Sequence, residues 1–449
     1  MQSKLYRYLI KICLLALVSD HALGQMTIVN LDEAYRLAKG NDHQWLGALA
    51  KHKGEVEVLP QALGALRPQV NLTVSRSLNN QTQDTAGRTP TAQRYQSGSQ
   101  ILSVLHPIIR QQQTHEINRA SAQVAYADWY LSHEEGLMAI RLTQAYTDVL
   151  LAHDRIRAIR DRVTVAGERL AYARAAFNAG RGPKHEVDSA LAELSVLKAE
   201  ALKSDYELIS ARRRLGVLIG ASQPIVGSSL ANVKELDALN LPSLEDAVAQ
   251  ALGGNPEILA AREKVRVSSA ALKYAQAASL PTLDLVAQLS HSNGENSFFA
   301  STSQRSRTIG LQFNMPLYAG GRNASFSRQA AAELELANET LNRLIDDVTL
   351  AVQTEHENLV QSLALSDALK LAVDAAEELV SSMRLGQING LSSRLDVTVA
   401  AGKRQDAAFE FYRIRYDRLN AWLRLRLLMG TPVEDTVSEL SNSFAFKNQ

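Results

Sequence analysis

From Leu142 to Phe177, apolar residues recur at alternating steps of three and four: Leu142, Ala145, Val149, Ala152, Ile156, Ile159, Val163, Ala166, Leu170, Ala173 and Phe177. Charged residues such as Asp154, Arg157, Arg160, Asp161 and Glu168 lie off this seam. A 3.5-residue repeat held over so many turns predicts a coiled-coil helix. The rhythm breaks at Gly180, Gly182 and Pro183, then resumes through Val187, Ala190, Leu194, Leu197, Ala201, Ser204, Leu208, Ala211, Leu215 and Leu218. The return helix can therefore lie against the outgoing one, stripe to stripe. At ~1.5 Å per residue the run from Pro107 to Gly180 would reach roughly 100 Å, whereas an average globular helix has ~11–12 residues.

The pattern occurs twice. Leu31-Asp32-Glu33-Ala34 returns as Leu244-Glu245-Asp246-Ala247, and Leu66-Arg67-Pro68 is matched by Ser279-Leu280-Pro281 at the same offset of 213 residues. Further on the offset is 210: Gly180 matches Gly390, Val187 matches Val397, Ala190 matches Ala400 and Gly220 matches Gly430. This predicts an internal duplication. The first repeat covers 25–220, a linker 221–240, the second repeat 241–430 and a C-terminal tail 431–449. Each repeat reads as helix, strand, loop, strand, long helix, turn, long helix.

The strands alternate. Val70, Leu72 and Val74 interleave with Asn71, Thr73 and Ser75; Leu283, Leu285, Ala287 and Leu289 mostly alternate with polar residues; Ile309, Leu311, Phe313 and Met315 interleave with Thr308, Gly310, Gln312 and Asn314. The stretch Gln100 to Leu105 alternates less cleanly. Such strands have one apolar and one polar face, which suits either a half-buried soluble sheet or a membrane barrel. Long polar loops, Asn79 to Ser97 and His291 to Ser306, favour the barrel. Four strands cannot close, and open edges cannot face lipid. A membrane-spanning reading therefore requires oligomers: a dimer gives eight strands and a packed interior, a trimer twelve and room for solvent.

The first 24 residues read as a secretory leader: Lys4, Arg7 and Lys11, an apolar run from Leu9 to Val18, and small residues at Ala22 and Gly24. Cleavage is expected before Gln25; a retained signal anchor is the alternative. Cys13, the only cysteine of the 449 residues, lies inside the apolar run and not at a lipoprotein cleavage point. Losing the leader takes the formal charge from +1 to −1, so no nucleic-acid partner is expected. No later stretch has ~18 uninterrupted apolar residues, so no transmembrane helix is expected.

Little else suggests chemistry. The ten histidines form no metal motif. His185, Glu186 and Asp188 cluster near the first turn, where a solvated turn is the simpler reading. Gly320-Gly321 lacks the Lys-Ser/Thr of a phosphate loop, and no serine sits in a nucleophile elbow. Arg212-Arg213-Arg214 reads as a charge cluster near a helix end. Trp45, Trp129 and Trp422 fall in helices and read as packing residues; Tyr318 suits either an interfacial or a core position. No enzyme, cofactor or metal is expected.

The duplication, Gly310-Leu311-Gln312-Phe313-Asn314-Met315-Pro316-Leu317-Tyr318-Ala319-Gly320-Gly321, Phe177-Asn178-Ala179-Gly180, and the helix ends Leu215-Gly216-Val217-Leu218-Ile219-Gly220 and Leu427-Leu428-Met429-Gly430 together resemble an outer-membrane factor of the TolC family. The resemblance implies an α+β membrane protein, mainly α: a homotrimer whose twelve-stranded β-barrel, four strands per chain, continues into a long α-helical coiled-coil barrel. It implies a passive exit duct in the outer membrane of a Gram-negative cell, spanning into the periplasm. The duct would serve tripartite efflux or type I secretion, with outer-membrane lipid around it and a periplasmic adaptor and inner-membrane transporter as partners. A periplasmic coiled-coil adaptor or scaffold without channel activity is the alternative.

The hairpin turns, with Phe177, Gly180 and Gly182 in one and Gly390, Leu391 and Ser392 in the other, would be the adaptor-docking tips. The family's periplasmic gate maps onto Asp396, where three copies would form an acidic ring of raised pKa, and equally onto a helix cap, since Ser393 and Asp396 are spaced as a capping box. A second acidic ring is absent because Val399 occupies its position. The family's tyrosine and arginine locks fall on Gln387 and Ser392, and their partners on His185 and Glu186, leaving a Gln387 to Glu186 hydrogen bond as a weaker substitute.

Overall fold

A computed structural model describes residues 30–442 except 84–85, 87–90, 223–225, 227–240 and 297–298. The leader and most of the linker lie outside these residues. The first pass of the chain comprises α1 (Leu31–Asn41), α2 (His43–Val56), α3 (Val58–Gly64), β1 (Gln69–Gln83), β2 (Thr91–Ile109), α4 (Gln111–Asn178) and α5 (Lys184–Ile219). The second comprises α6 (Leu244–Gly254), α7 (Pro256–Ala277), β3 (Thr282–Asn296), β4 (Phe299–Asn314), α8 (Arg322–Ile388) and α9 (Arg394–Leu428), followed by α10 (Val433–Asn442).

The two passes differ where one continuous α7 answers the pair α2 and α3. Pro60 explains the break: it has no N–H for the Val56 carbonyl and its ring crowds that carbonyl, so α2 ends there. Among the described residues no helix is long and apolar enough to cross a membrane.

The chain divides into two compact units. One, Ala48–His133 with Leu252–Leu350, holds a single antiparallel sheet in the order β1-β2-β3-β4. Its register is informative. Val70 pairs with Val104, Val104 with Ala287, and Ala287 with Ile309; likewise Leu72 pairs with Leu102 and Leu102 with Leu289. Cross-strand partners point to the same side, so the apolar residues of all four strands share one face. Asn71, Ser103, Gln288 and Thr308 form a row on the other.

On the edge strands Val70, Leu72, Val74, Leu78, Ile309, Leu311 and Phe313 are 63–76% exposed: none of the described residues covers them. The polar loops expected at 79–97 and 291–306 are instead mostly ladder. Asn79 pairs with Tyr95, Gln83 with Thr91, and Asn296 with Phe299. Backbone pairing does not depend on side-chain polarity, so the strands run on past the apolar band. Where β2 leaves the sheet, Arg110 donates two hydrogen bonds to the buried Asp284 of β3, at 2.9 and 2.7 Å. The helices of this unit expose Trp129 by 39%, against its expected packing role, while Trp45 and Trp422 are buried. Tyr318 is 88% exposed, which excludes a core position.

The other unit contains the residues up to Gly47, Glu134–Ala251 and the chain from Ala351 onward. Here the seam of α4 is buried or half-buried from Leu142 to Ala173, and that of α5 from Val187 to Leu218. Ala166, Leu170, Ala173, Ala190, Leu194 and Leu197 form one apolar cluster near the turn. Phe177 is 44% exposed, so the seam ends a turn before the sequence pattern does. Off the seam, Arg160 reaches Asp205 at 2.9 Å, Arg155 reaches Glu207 at 3.3 Å and Arg169 bonds Glu193. Arg214 lies 3.6 Å from Asp148, which makes the arginine run an interhelical charge cluster.

Helix α9 departs from the simple pattern: Arg415, Tyr416, Arg418 and Asn420 are buried beside Leu419 and Trp422. The Tyr416 hydroxyl donates to Asp154 of α4 at 2.9 Å, and the Asn420 amide to Thr147 Oγ1 at 3.0 Å. The stretch expected as a tail contains α10, whose Val437 and Leu440 are buried and whose Glu434 pairs with Lys39 at 2.6 Å.

Candidate functional site

The two hairpin turns are built alike. Gly180 and Gly390 take φ of 72° and 74°, where a β-carbon is disfavoured and a helix can stop. Pro183 is the residue before α5, in extended conformation, one step earlier than a first-turn position. At the second turn Ser393 caps α9 with a complete capping box. Its hydroxyl accepts from the Asp396 backbone N–H at 3.2 Å, and the Asp396 carboxylate accepts from the Ser393 N–H at 2.8 Å.

Each crossing tolerates one small pair. A β-carbon on Gly182 would lie 3.1 Å from the Ala176 β-carbon, and one on Gly386 would lie 2.4 Å from Ser392 Oγ. The repeat offset of 210 maps Ala176 onto Gly386 and Gly182 onto Ser392, so the glycine has changed sides between the two turns. Gly386 escaped the sequence reading, although this offset could have revealed it. Ser392, which falls at a lock position of the family, packs on Gly386 and donates to Met383 sulfur at 3.5 Å.

Glu186, Gln387, Gly390, Leu391 and Asp396 are all exposed. Among the described residues no hydrogen bond joins Gln387 to Glu186. The hairpins are joined elsewhere: Arg394 reaches Glu168 at 3.2 Å, Gln405 donates to Asp161 at 3.3 Å, and Arg162 reaches Asp406 at 3.3 Å. Sequence periodicity carries no trace of these partners, because they are 226 and 244 residues apart. Between these links a cleft of about 300 Å³ opens beside Gly402, with Val165, Leu197 and Thr398 among its walls.

Two carboxyls in this unit titrate in opposite senses. The hydrogen bonds from Ser393 hold exposed Asp396 below the usual carboxylate range. The raised value expected for an acidic ring does not arise within one chain, which contributes a single Asp396. Burial pushes Asp154 up, partly offset by the hydrogen bond from Tyr416. Burial and that same carboxylate keep the Tyr416 phenol protonated. No group of three or more metal-ligating side chains occurs among the described residues.

Known proteins are similar to this chain in sequence and in fold. Residues 34–221 and 247–431 match the family described as outer membrane efflux protein. The proteases secretion protein PrtF of Dickeya chrysanthemi is 26% identical, covering 97% of this chain and 95% of its own length. The outer membrane protein TolC of Vibrio cholerae is 26% identical over 95% and 98% of the two chains. In three dimensions the Campylobacter jejuni CmeC outer membrane channel superposes with a TM-score of 0.76 at 15% identity, covering 93% of this chain and 90% of the channel.

Proposed function

This chain belongs to the outer membrane efflux protein family, and from that premise we propose that three copies join their four-stranded sheets into one twelve-stranded barrel. The protein is an outer-membrane export channel. The observation that carries the trimeric reading is the sheet itself: its apolar residues share one exposed face, its polar residues share the other, and β1 and β4 are unpaired edges. β1 and β4 run antiparallel, so β4 of one copy can pair with β1 of the next. Backbone groups in lipid require that closure. Apolar side chains then face hydrocarbon, and Asn, Ser, Gln and Thr face a water-filled lumen wide enough for cargo.

The hairpins of three copies would form a periplasmic tube with the Gly180 and Gly390 turns as the surface for an adaptor, which in turn meets an inner-membrane transporter. Asp396 would form the gate ring. The channel is passive and performs no catalysis. Two relatives matched nearly end to end, PrtF and the alkaline protease secretion protein AprF of Pseudomonas aeruginosa, are named for protease secretion, and this favours protein cargo as the first class to test. The alternative of an adaptor without a channel draws no support from these relatives. The test is reconstitution of the mature protein: a detergent-requiring trimer that gives cation-conducting events in planar bilayers is expected. A water-soluble monomer with no conductance would refute the proposal.

A further inference from the structure

All four arginines in the described part of the strands share a face, and it is the apolar one. Arg76 and Arg94 alternate in step with Val74 and Leu78, and Arg305 and Arg307 in step with Ile309. Arg307 lies opposite Leu289, Arg305 opposite His291, Arg76 opposite Gly98, and Arg94 opposite Asn80. All four side chains are exposed. Among the described side chains of this face no carboxylate accompanies them, and the one polar partner is Gln96, which accepts from Arg76 at 2.6 Å. Among the described side chains the opposite face carries a single charge, Asp284, and that one is held by Arg110 at the end of the sheet where α4 begins.

Along their own strands the arginines lie on the side away from the helices: by ladder register Arg307 and Arg305 stand level with Leu72 and Val74, at the outer part of the apolar band, and Arg76 and Arg94 stand farther out. Ile309, Leu311 and Phe313 lead from Arg307 back toward the helices, as Val74, Leu72 and Val70 do from Arg76. Charge near the middle of a lipid-facing strand is costly but costs little at the interface, so the outer side of the band is where arginine is tolerated. A long side chain there can lay its stem on the band and lift its guanidinium into the headgroup layer. The guanidinium fork suits phosphate oxygens.

From this juxtaposition we infer that the outer rim of the sheet's apolar face, through Arg76, Arg94, Arg305 and Arg307, binds the phosphorylated headgroups of anionic lipid in the outer leaflet. The inference rests on the barrel reading, which sets this face toward lipid and this end away from the periplasm. The lipid class follows from charge complementarity: a neutral headgroup would leave the four cations without a counter-charge among the described side chains of that face.

The test uses the full mature trimer in detergent, titrated with a phosphorylated glucosamine-disaccharide lipid, its dephosphorylated form or inorganic phosphate, with bound species counted by native mass spectrometry. The wild type should hold the phosphorylated lipid at least tenfold more tightly than the dephosphorylated one. R76Q/R94Q/R305Q/R307Q should lose that preference, by roughly fivefold per arginine at low salt, and the fourfold lysine variant should retain most of it. Equal binding of both lipids by the wild type, or an undiminished preference in the glutamine variant, overturns the inference. Displacement of the lipid by millimolar inorganic phosphate also overturns it, because the site would then be one for free anions. If the glutamine variant fails to assemble, the two-lipid comparison on the wild type decides. A wild-type trimer that conducts normally yet shows no preference removes the lipid site alone, whereas failure of the wild type to assemble or conduct removes the barrel reading beneath it.

Discussion

Asp396 carries two readings that a single chain cannot separate by geometry, since the same carboxylate caps α9 and stands exposed at the turn. Substitution separates them. Asp396→Ala should raise the resting conductance of the reconstituted trimer if three copies guard the tube, and unchanged conductance with unchanged cation selectivity would leave only the cap. The Ser393 hydroxyl also donates to the Asp396 carboxylate at 2.7 Å, and Ser393→Ala removes that larger contribution to its depressed titration while the backbone N–H remains, so the pKa should rise part of the way, as read by carboxyl NMR shifts against pH. The sign follows from linkage. A depressed carboxyl contributes stability above its ordinary range, and that contribution is lost as pH falls through the depressed value. 

The buried pair Tyr416 and Asp154 belongs to the joint between α9 and α4. Burial has raised the carboxyl, so its charged form costs stability at neutral pH, and the cost is relieved as pH falls through the raised value. Tyr416→Phe should push that value higher still and lower stability by ~1–3 kcal/mol, the usual range for stranding a buried acceptor. Asp154→Asn, which keeps an acceptor, should lose less; equal losses in thermal unfolding would deny the hydrogen bond its role. At the turns, Gly180→Pro or Gly390→Pro forces φ to about −65° where the chain needs a positive angle. Adaptor binding should fall while trimers still form, and full export by these variants would count against the turns as the docking surface.

For the whole molecule, the duplication predicts how copies meet. Val104 stands three residues before Pro107, as Phe313 stands before Pro316, and Ala287 follows Val74 by the repeat offset of 213. Since Val104 pairs with Ala287 within the chain, Phe313 should pair with Val74 between chains. Cysteines at 74 and 313 should then crosslink into covalent trimers, scored on denaturing gels; Thr73→Cys with Phe313→Cys, on opposite faces, should not. Success of the second pair and failure of the first would mean a different register.

The helical hairpins and the two-faced strands are legible along the chain because each is a local period, 3.5 residues for the coiled-coil seam and two for the strand, and the repeat is legible as like residues 213 and 210 apart. Gly180, Gly390 and the Ser393 cap were legible for the same reason, since helix termination is decided within a few residues. The remainder depends on residues far apart in the chain. The register that gathers four strands' apolar residues and all four described strand arginines onto one face is set by backbone pairing between the repeats. The Glu168 to Arg394 and Asp154 to Tyr416 links, and the choice of Gly386 against Ser392, arise where helices cross. Side-chain direction at such crossings follows from packing, and no period along the chain encodes it.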